Sequence, residues 1–545
     1  MAISHLSLEG VSYVLPNGQA LFSDLTDIFD TRHTGLVGRN GCGKTILARV
    51  LAGQLQPSSG RCVRSGSVYY LEQQVRPDAA TTVADLAGAR KVLDALQRIE
   101  AGSSAQADFD AVGDQWDMAL QFRQALALQG LSHLRADTPA LALSGGEAMR
   151  AALVGAQLSG ADFLILDEPS NHLDQGSRTA LAAWLAHWPR GLLVISHDRQ
   201  LLESMDRIVE LSALGLRSYG GNYPFYAQAK AQEQQSANAE LERTRLERKR
   251  TEQSMREQRE RQEKRQQRGA RSGKQANQAK ILLDRQKERS DHSTGKLNRQ
   301  HTAMQRKLAQ RVRDAAAQVD GDLHIHLQTP PHTGVSQRHV AALEGVALPL
   351  VAPATRHIDL LVTGQQRIGL QGPNGCGKST LLQVLAGRIQ HQAGVCTVTE
   401  SLAYLDQRLG TLDVHRPVLE QLQQVSHRLS ESELRMRLAQ LGLGADRVTV
   451  PSGVLSGGER IKAALACILY ADTPPQLLLL DEPSNHLDLP ALQALETMLS
   501  GYQGAMIVAS HDQIFLNNLQ LTDLLEATSE GWRLSSADTQ QDRDR

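Results

Sequence analysis

Two octapeptides, GRNGCGKT at 38–45 and GPNGCGKS at 372–379, satisfy the pattern G-x-x-x-x-G-K-[ST]. Each follows an apolar strand-like run (TGLV, RIGL) and precedes a helical one (ILARVLAG, TLLQVLAG), the context that a phosphate-cradling loop requires. Glycines at this spacing let backbone N–H groups curl around an anion. The loops Gly38, Arg39, Asn40, Gly41, Cys42, Gly43 and Gly372, Pro373, Asn374, Gly375, Cys376, Gly377 would wrap the phosphates of a nucleotide. Lys44 and Lys378 would bridge the β- and γ-phosphates, and Thr45 and Ser379 would ligate Mg²⁺, with Thr380 beside Ser379 at the helix start.

Further chemistry follows each loop in the same order. FLILDE and LLLLDE read as buried parallel strands ending in two carboxylates. Asp167 and Asp481 suit a Mg²⁺ role, and Glu168 and Glu482 suit a base that positions an attacking water. His197 and His511 each stand 29 residues beyond those glutamates, after the strands GLLVIS and AMIVAS, where an imidazole could sense a γ-phosphate. LSGGE occurs at 143–147 and 455–459; two glycines opening a helix make an anion-binding N-terminus, with Ser144 or Ser456 adding a hydroxyl. Taken alone, each has a plainer reading: a strand meeting its loop, a structural histidine, a helix cap. Their joint recurrence beside two phosphate loops favours the chemical reading.

The elements that position these residues are duplicated. The two phosphate loops are offset by 334 residues, as are YLEQ (70–73) and YLDQ (404–407), and Cys62 and Cys396. LDEPSNHLD returns at 480–488 after 166–174, and SHD at 510–512 after 196–198. Two copies of one domain are therefore expected, over 1–221 and 321–545. Gln73 to Ser144 spans 71 residues but Gln407 to Ser456 only 49, so the first copy carries an insertion of 22, placed within about 78–128 and expected to be helical.

Between the copies, 222–320 reads as a helical hairpin. Asn222 and Pro224 are start signals, no further proline occurs until Pro330, and Gly269 and Gly273 mark an expected tip. On the returning limb Leu297, His301, Met304, Leu308 and Val312 recur at helical spacing, enough for a seam. The net charge of −1 conceals an asymmetry: residues 230–320 hold 24 Lys+Arg and 13 Asp+Glu, a surplus of +11, which leaves −12 for the remainder. The stretch RGARSGKQANQAK (268–280) has four cations, Arg268, Arg271, Lys274 and Lys280, and no acid. A charge run is often only a solvated, self-paired helix, but this pattern also suits nucleic-acid phosphate.

At 545 residues the chain is too long for one core. Its start lacks the basic flank and apolar run of a signal peptide, and its longest apolar runs are strand-sized, so a soluble, cytoplasmic protein is expected. The five cysteines form no C-x-x-C pair and read as buried thiols.

The phosphate loop, glutamine loop, LSGGE, LDEPSNHLD and SHD, in this order and twice, resemble the ATP-binding cassette ATPases. Two cassettes in one chain, no membrane segment, a long charged linker and the spelling DEPSNHLD resemble the ABC-F family, with serine in both copies where threonine is usual. The resemblance implies an α/β fold of two P-loop ATP-binding cassettes joined by a long α-helical hairpin, and hydrolysis of ATP with Mg²⁺ in a monomer whose cassettes pair head to tail. One site would join Lys44, Thr45, Gln73, Asp167, Glu168 and His197 to Ser456, Gly457 and Gly458. The other would join Lys378, Ser379, Gln407, Asp481, Glu482 and His511 to Ser144, Gly145 and Gly146. Gln73 and Gln407 would complete the two metal sites. The family commonly stacks an aromatic ring on adenine: LEGVSY supplies Tyr13, but the aligned LEGVAL supplies Leu348, which implies weaker holding at the second site. Family members enter the ribosomal exit site with the linker towards peptidyl-tRNA and modulate translation, so ribosome and tRNA are the implied partners, and the insertion matches the family's arm. A transporter subunit with membrane partners, a DNA-repair ATPase and an antibiotic-resistance factor of the same family are the alternatives. The fused, basic-linked layout argues against the first, and the polar linker tip argues against direct displacement of a drug.

Overall fold

The structure, a computed structural model, describes residues 4–73, 77–171, 173–275, 301–316, 339–406, 410, 412–485 and 487–537. The chain divides into two compact bodies, Met1–Tyr226 with Leu323–Arg545, and Ala227–Asp322.

In the first body the duplicated sequence folds twice in the same way. Each half has a six-stranded sheet. In the first the strand order is Val68–Leu71, Phe163–Asp167, Gly191–Ile195, His33–Gly38, Arg207–Ser212 and Gly215–Gly220, with only the last strand antiparallel. In the second it is Leu402–Leu405, Leu477–Asp481, Ala505–Ala509, Arg367–Gln371, Asp523–Thr528 and Gly531–Ser536. The central strands FLILD, GLLVI, LLLLD and AMIVA are buried at every residue, which is why they read as unbroken apolar runs and not as alternating ones. Because the strands before the phosphate loop, the carboxylates and the histidine are neighbours and parallel, all three motifs leave the sheet at the same edge. Ligands of open parallel sheets bind at that edge.

A three-stranded antiparallel sheet accompanies each half, Ala20–Phe29 with His5–Val14 and Ser59–Ser65, and His357–Thr363 with His339–Ala347 and Ala393–Val398. Leu8 pairs with Cys62 and Leu343 with Cys396, so even the duplicated cysteines keep their register.

The insertion forms helices Val83–Leu86, Arg90–Glu100, Gln106–Val112 and Met118–Leu128. Leu96, Phe122, Leu126 and Leu131 pack them into one core with Val154 of helix Gly145–Leu158. The second half covers the corresponding distance with helices Val418–Val425 and Glu431–Gln440. The extra residues thus add helix and not loop.

In the second body one helix runs Tyr223–Gln275, 53 residues and about 80 Å at ~1.5 Å each. Gly269 and Gly273 lie inside it, which corrects the expectation that they mark a hairpin tip. A glycine costs only about 1 kcal/mol against alanine in a helix, and the surrounding Gln, Arg, Lys and Ala are good helix formers. Residues 301–316 are helical too. Arg311 pairs with Glu247 at 3.0 Å, so the returning limb lies against the outgoing one. Of the residues read as a seam, Leu308 is buried, Val312 and His301 are half-buried and Met304 is exposed; Leu297 lies outside the described residues.

Candidate functional site

Each phosphate loop has the backbone its glycines predict. Gly43 and Gly377 hold φ of 103° and 104° and lead directly into helices Lys44–Ala52 and Lys378–Leu385. A Cβ on Gly43 would come within 2.7 Å of Leu21, and one on Gly377 within 2.7 Å of Val351, so the close packing of the loop also demands glycine. The ammonium of Lys44 sits inside its loop, donating to the carbonyls of Gly38 (2.7 Å) and Arg39 (3.1 Å). Lys378 does the same with Gly372 (2.8 Å) and Pro373 (3.1 Å).

The carboxylates stand opposite. Tyr404 and Ser379 donate their hydroxyls to Asp481, at 3.2 and 2.9 Å. Tyr70 donates to Asp167 at 3.4 Å, and the other oxygen of Asp167, Oδ1, is buried with no hydrogen-bond partner among the described residues. An orphaned carboxylate oxygen beside Thr45 is a hard-oxygen donor set that fits Mg²⁺, which is held by one or two carboxylates plus phosphate oxygens and not by a full protein cage. Gln73 lines the same cavity, whereas Gln407 lies outside the described residues.

Glu168 and Glu482 have φ of 50° and 49°. Left-handed backbone is uncommon for a glutamate, and its repetition shows that both turns are held by their surroundings: Glu168 N–H donates to Ile195 O (2.8 Å) and Glu482 N–H to Ala509 O (2.9 Å). His197 Nε2 lies 3.5 Å from Glu168 Oε1, and His511 Nε2 3.4 Å from Glu482 Oε1. Burial pushes Glu168 up to about 8 and Glu482 up to about 7, against the pull of Lys44 and Lys378. Burial also holds His197 well below the usual imidazole range and brings His511 down to about 3, so both are neutral at physiological pH. A carboxylate poised near neutrality, beside a neutral imidazole and a lysine, can accept a proton from water.

A cavity of about 640 Å³ gathers Lys44, Thr45, Gln73, Asp167, Glu168 and His197, and Gly457 of the second cassette closes it. The LSGGE helix of the second half therefore has two roles. Ser144 and Ser456 cap helices Gly145–Leu158 and Gly457–Leu469, each in a reciprocal capping box with Glu147 or Glu459, as the plainer reading held. The second of these helices also starts at the opposite half's phosphate loop. The seam is marked by two aspartates that the motif LDEPSNHLD contains but whose contacts its letters do not reveal. Asp488 Oδ1 caps its own helix at Ala491, while Oδ2 accepts Asn40 N–H of the first loop at 2.8 Å. Asp174 does likewise, with Ser177 N–H on one oxygen and Asn374 N–H at 3.4 Å on the other.

The cavity also has an apolar side. Its apolar wall is Leu15 and Leu21, and Tyr13 is half-buried with its ring 6.1 Å from that of Phe22. In the second half Leu348 is wholly buried and offers no face to a base, whereas Leu350 projects fully exposed from a left-handed backbone, φ 57°. Of the linker cations, Arg268 is exposed; the side chains of Arg271 and Lys274, and Lys280 altogether, lie outside the described residues.

A profile of the ABC transporter family matches residues 26–171 and 355–485. The chain is 30% identical over 538 residues to the probable ATP-binding protein YheS of Haemophilus influenzae, covering 94% of this chain and 77% of that one. It is 28% identical over 534 residues to ABC transporter F family member 5 of Arabidopsis thaliana (92% and 72% covered). It is 30% identical over 540 residues to the ATP-binding protein Uup of Haemophilus influenzae (92% and 77%). Among solved structures, the archaeal ribosome recycling factor aABCE1, in complex with the ribosomal stalk protein aP1, superposes with a TM-score of 0.57 at 17% identity over 98% of this chain and 92% of that one, a likeness of fold. No described helix is long and apolar enough to cross a membrane. With two ATP-binding cassettes, a long charged helix between them and relatives of this type along nearly its whole length, the chain belongs to the ABC-F family of ATP-binding cassette proteins.

Proposed function

We propose that the protein hydrolyses ATP at two sites formed head to tail between its cassettes, and that it couples this cycle to binding of the ribosome. The observation that carries the first part is the single cavity in which Lys44, Glu168 and His197 of one cassette meet Gly457 of the other. Thr45 with Asp167 and Gln73, and Ser379 with Asp481 and Gln407, would hold Mg²⁺, which neutralises charge on the phosphates when bound. Glu168 and Glu482 orient and deprotonate the attacking water, His197 and His511 contact the γ-phosphate, and Lys44 and Lys378 draw charge from it. The domains implied by this reading are cassettes over 1–221 and 321–545 and a linker over 222–320, acting in the cytoplasm as a monomer.

The second part rests on charge. From Arg243 to Arg261 the helix pairs its cations with its own acids, as in Arg243–Glu240, Arg245–Glu242 and Arg248–Glu252. From Lys264 to Leu283 there is no acid, and Arg268, Arg271 and Lys274 have none within four positions on either side. Such a stretch suits RNA phosphate, and in an F-family protein the RNA is that of the ribosome or its tRNA. The test is co-sedimentation with ribosomes of the Glu168→Gln, Glu482→Gln double variant, with and without ATP. Binding that appears only with ATP, together with loss of phosphate release, is the expected result. Parental turnover in the double variant would remove the two glutamates from their role, ATP-independent sedimentation would remove the coupling, and absent sedimentation would remove the ribosome.

A further inference from the structure

The two copies also differ where one cassette meets the other's site. Helix Gln175–Ala186 follows Asp174, whose carboxylate touches the second phosphate loop, and its first residue Gln175 donates to Gln513 at 3.5 Å. Gln513 lies two residues beyond His511 and also bonds Gln371, at the end of the strand leading into that loop. One turn along, Arg178 is half-buried: its Nε donates to Leu173 O at 3.0 Å and it faces Asp198 at 3.5 Å. Asp198 is the residue after His197. At the offset of 314, Gln175 and Arg178 become Leu489 and Leu492, both buried. Leu492 packs into the core of its own cassette, whereas Arg178 makes polar contacts on a helix whose first residue meets the second site.

We propose that Arg178 is a positioning residue of the second nucleotide site, supplied by the first cassette, and that through Asp198 it ties that site to the loop carrying His197. Its guanidinium, bonded to Leu173 O, fixes the start of the helix that carries Asp174 and Gln175 against the second phosphate loop. Movement of the His197–Asp198 loop is thereby transmitted to the second site, and Leu492 provides no return path. The electrostatics agree. After burial and Lys378, Arg178 is the next influence on both Glu482 and His511, whereas at His197 only burial and Lys44 act and at Glu168 the leading cation is Lys44.

The inference rests on the hydrolytic reading of Glu168 and Glu482, so the experiment isolates each site by Gln substitution of the other's glutamate in the full-length chain. In the Glu168→Gln background, where turnover reports the second site, Arg178→Met is expected to lower kcat about 10–100-fold, the range of a small misplacement, with KM for ATP within about twofold, the mark of a group acting on the reacting state. Arg178→Lys, which keeps the charge, should recover most of the loss. In the Glu482→Gln background the loss should be at least fivefold smaller. Equal losses in the two backgrounds, a change in KM alone, or a lysine variant as slow as methionine would each overturn the proposal. Parental turnover in the double Gln variant would instead be a failure of the hydrolytic reading itself.

Discussion

The sharpest consequence of burying Glu168 is that the protein should become more stable when that carboxyl is replaced by an amide. Its pKa rises from 4.5 in an exposed chain to about 8 in the fold, mainly through burial, with Asp167 adding like charge and Lys44 opposing. Between those two values the folded state holds one more proton than the unfolded state. Stability therefore falls as pH rises, by about 1.4 kcal/mol per unit. This contribution is fully present below pH 4.5 and is lost as pH approaches 8. At pH 7 about 3 kcal/mol has gone, taking 1.36 kcal/mol per pKa unit over the interval from 4.5. Glutamine has nearly the same shape and no such proton. Glu168→Gln should match the parent near pH 5 and exceed it at pH 7–8, by roughly 6–12 °C in Tm at ~2–4 °C per kcal/mol for a domain of this size. The assay is thermal unfolding of both proteins from pH 5 to 8, without nucleotide or divalent cation. A Tm difference that stays flat across the range, or a variant less stable at pH 8 than at pH 5 relative to the parent, would refute the claim that the carboxyl is buried and uncompensated.

Two further outcomes follow from charges at other places. Arg199 and Glu496 form a buried pair at 2.7 Å between the cassettes, so Arg199→Met, which strands the carboxylate, should cost about 3–5 kcal/mol, and adding Glu496→Leu should recover most of it in thermal unfolding. Replacing Arg268, Arg271, Lys274 and Lys280 by Gln should flatten the salt dependence of ribosome binding by up to ~3 log–log units and leave ATP affinity unchanged; an unaltered slope would make the segment a solvated helix.

What the sequence made legible was local. A phosphate loop is written in glycines because the left-handed turn at Gly43 and its 2.7 Å approach to Leu21 admit little else. The carboxylates after FLILD and LLLLD were readable because a strand buried on both faces must be apolar to its end, which leaves the first charged pair conspicuous. The misreadings arose where a weak local preference met a strong context. Gly269 and Gly273 did not stop a helix whose every neighbour favours it. Tyr13 was expected at the base from the family resemblance; its ring lies 6.1 Å from that of Phe22, and Leu15 and Leu21 line the cavity beside it. Contacts between cassettes were invisible for another reason. The second oxygen of Asp488 reaches Asn40 across 448 positions of sequence, and no spacing rule spans that distance.

The duplication also makes divergence readable, because each residue has an internal control. At the base end Leu15 and Leu21 of the first copy have Leu350 and Val351 in the corresponding places of the second, so the difference there is Tyr13 against the buried Leu348. The helix after LDEPSNHLD also differs, since Gln175 and Arg178 have the buried Leu489 and Leu492 as their counterparts. Apolar contact with a base acts equally on ground and reacting states and so sets affinity, whereas a group that holds the phosphate end in place acts on the reacting state and so sets rate. The loss expected on replacing Arg178 therefore belongs to kcat at the Lys378 site, and the paired Gln backgrounds separate it from any effect at the Lys44 site.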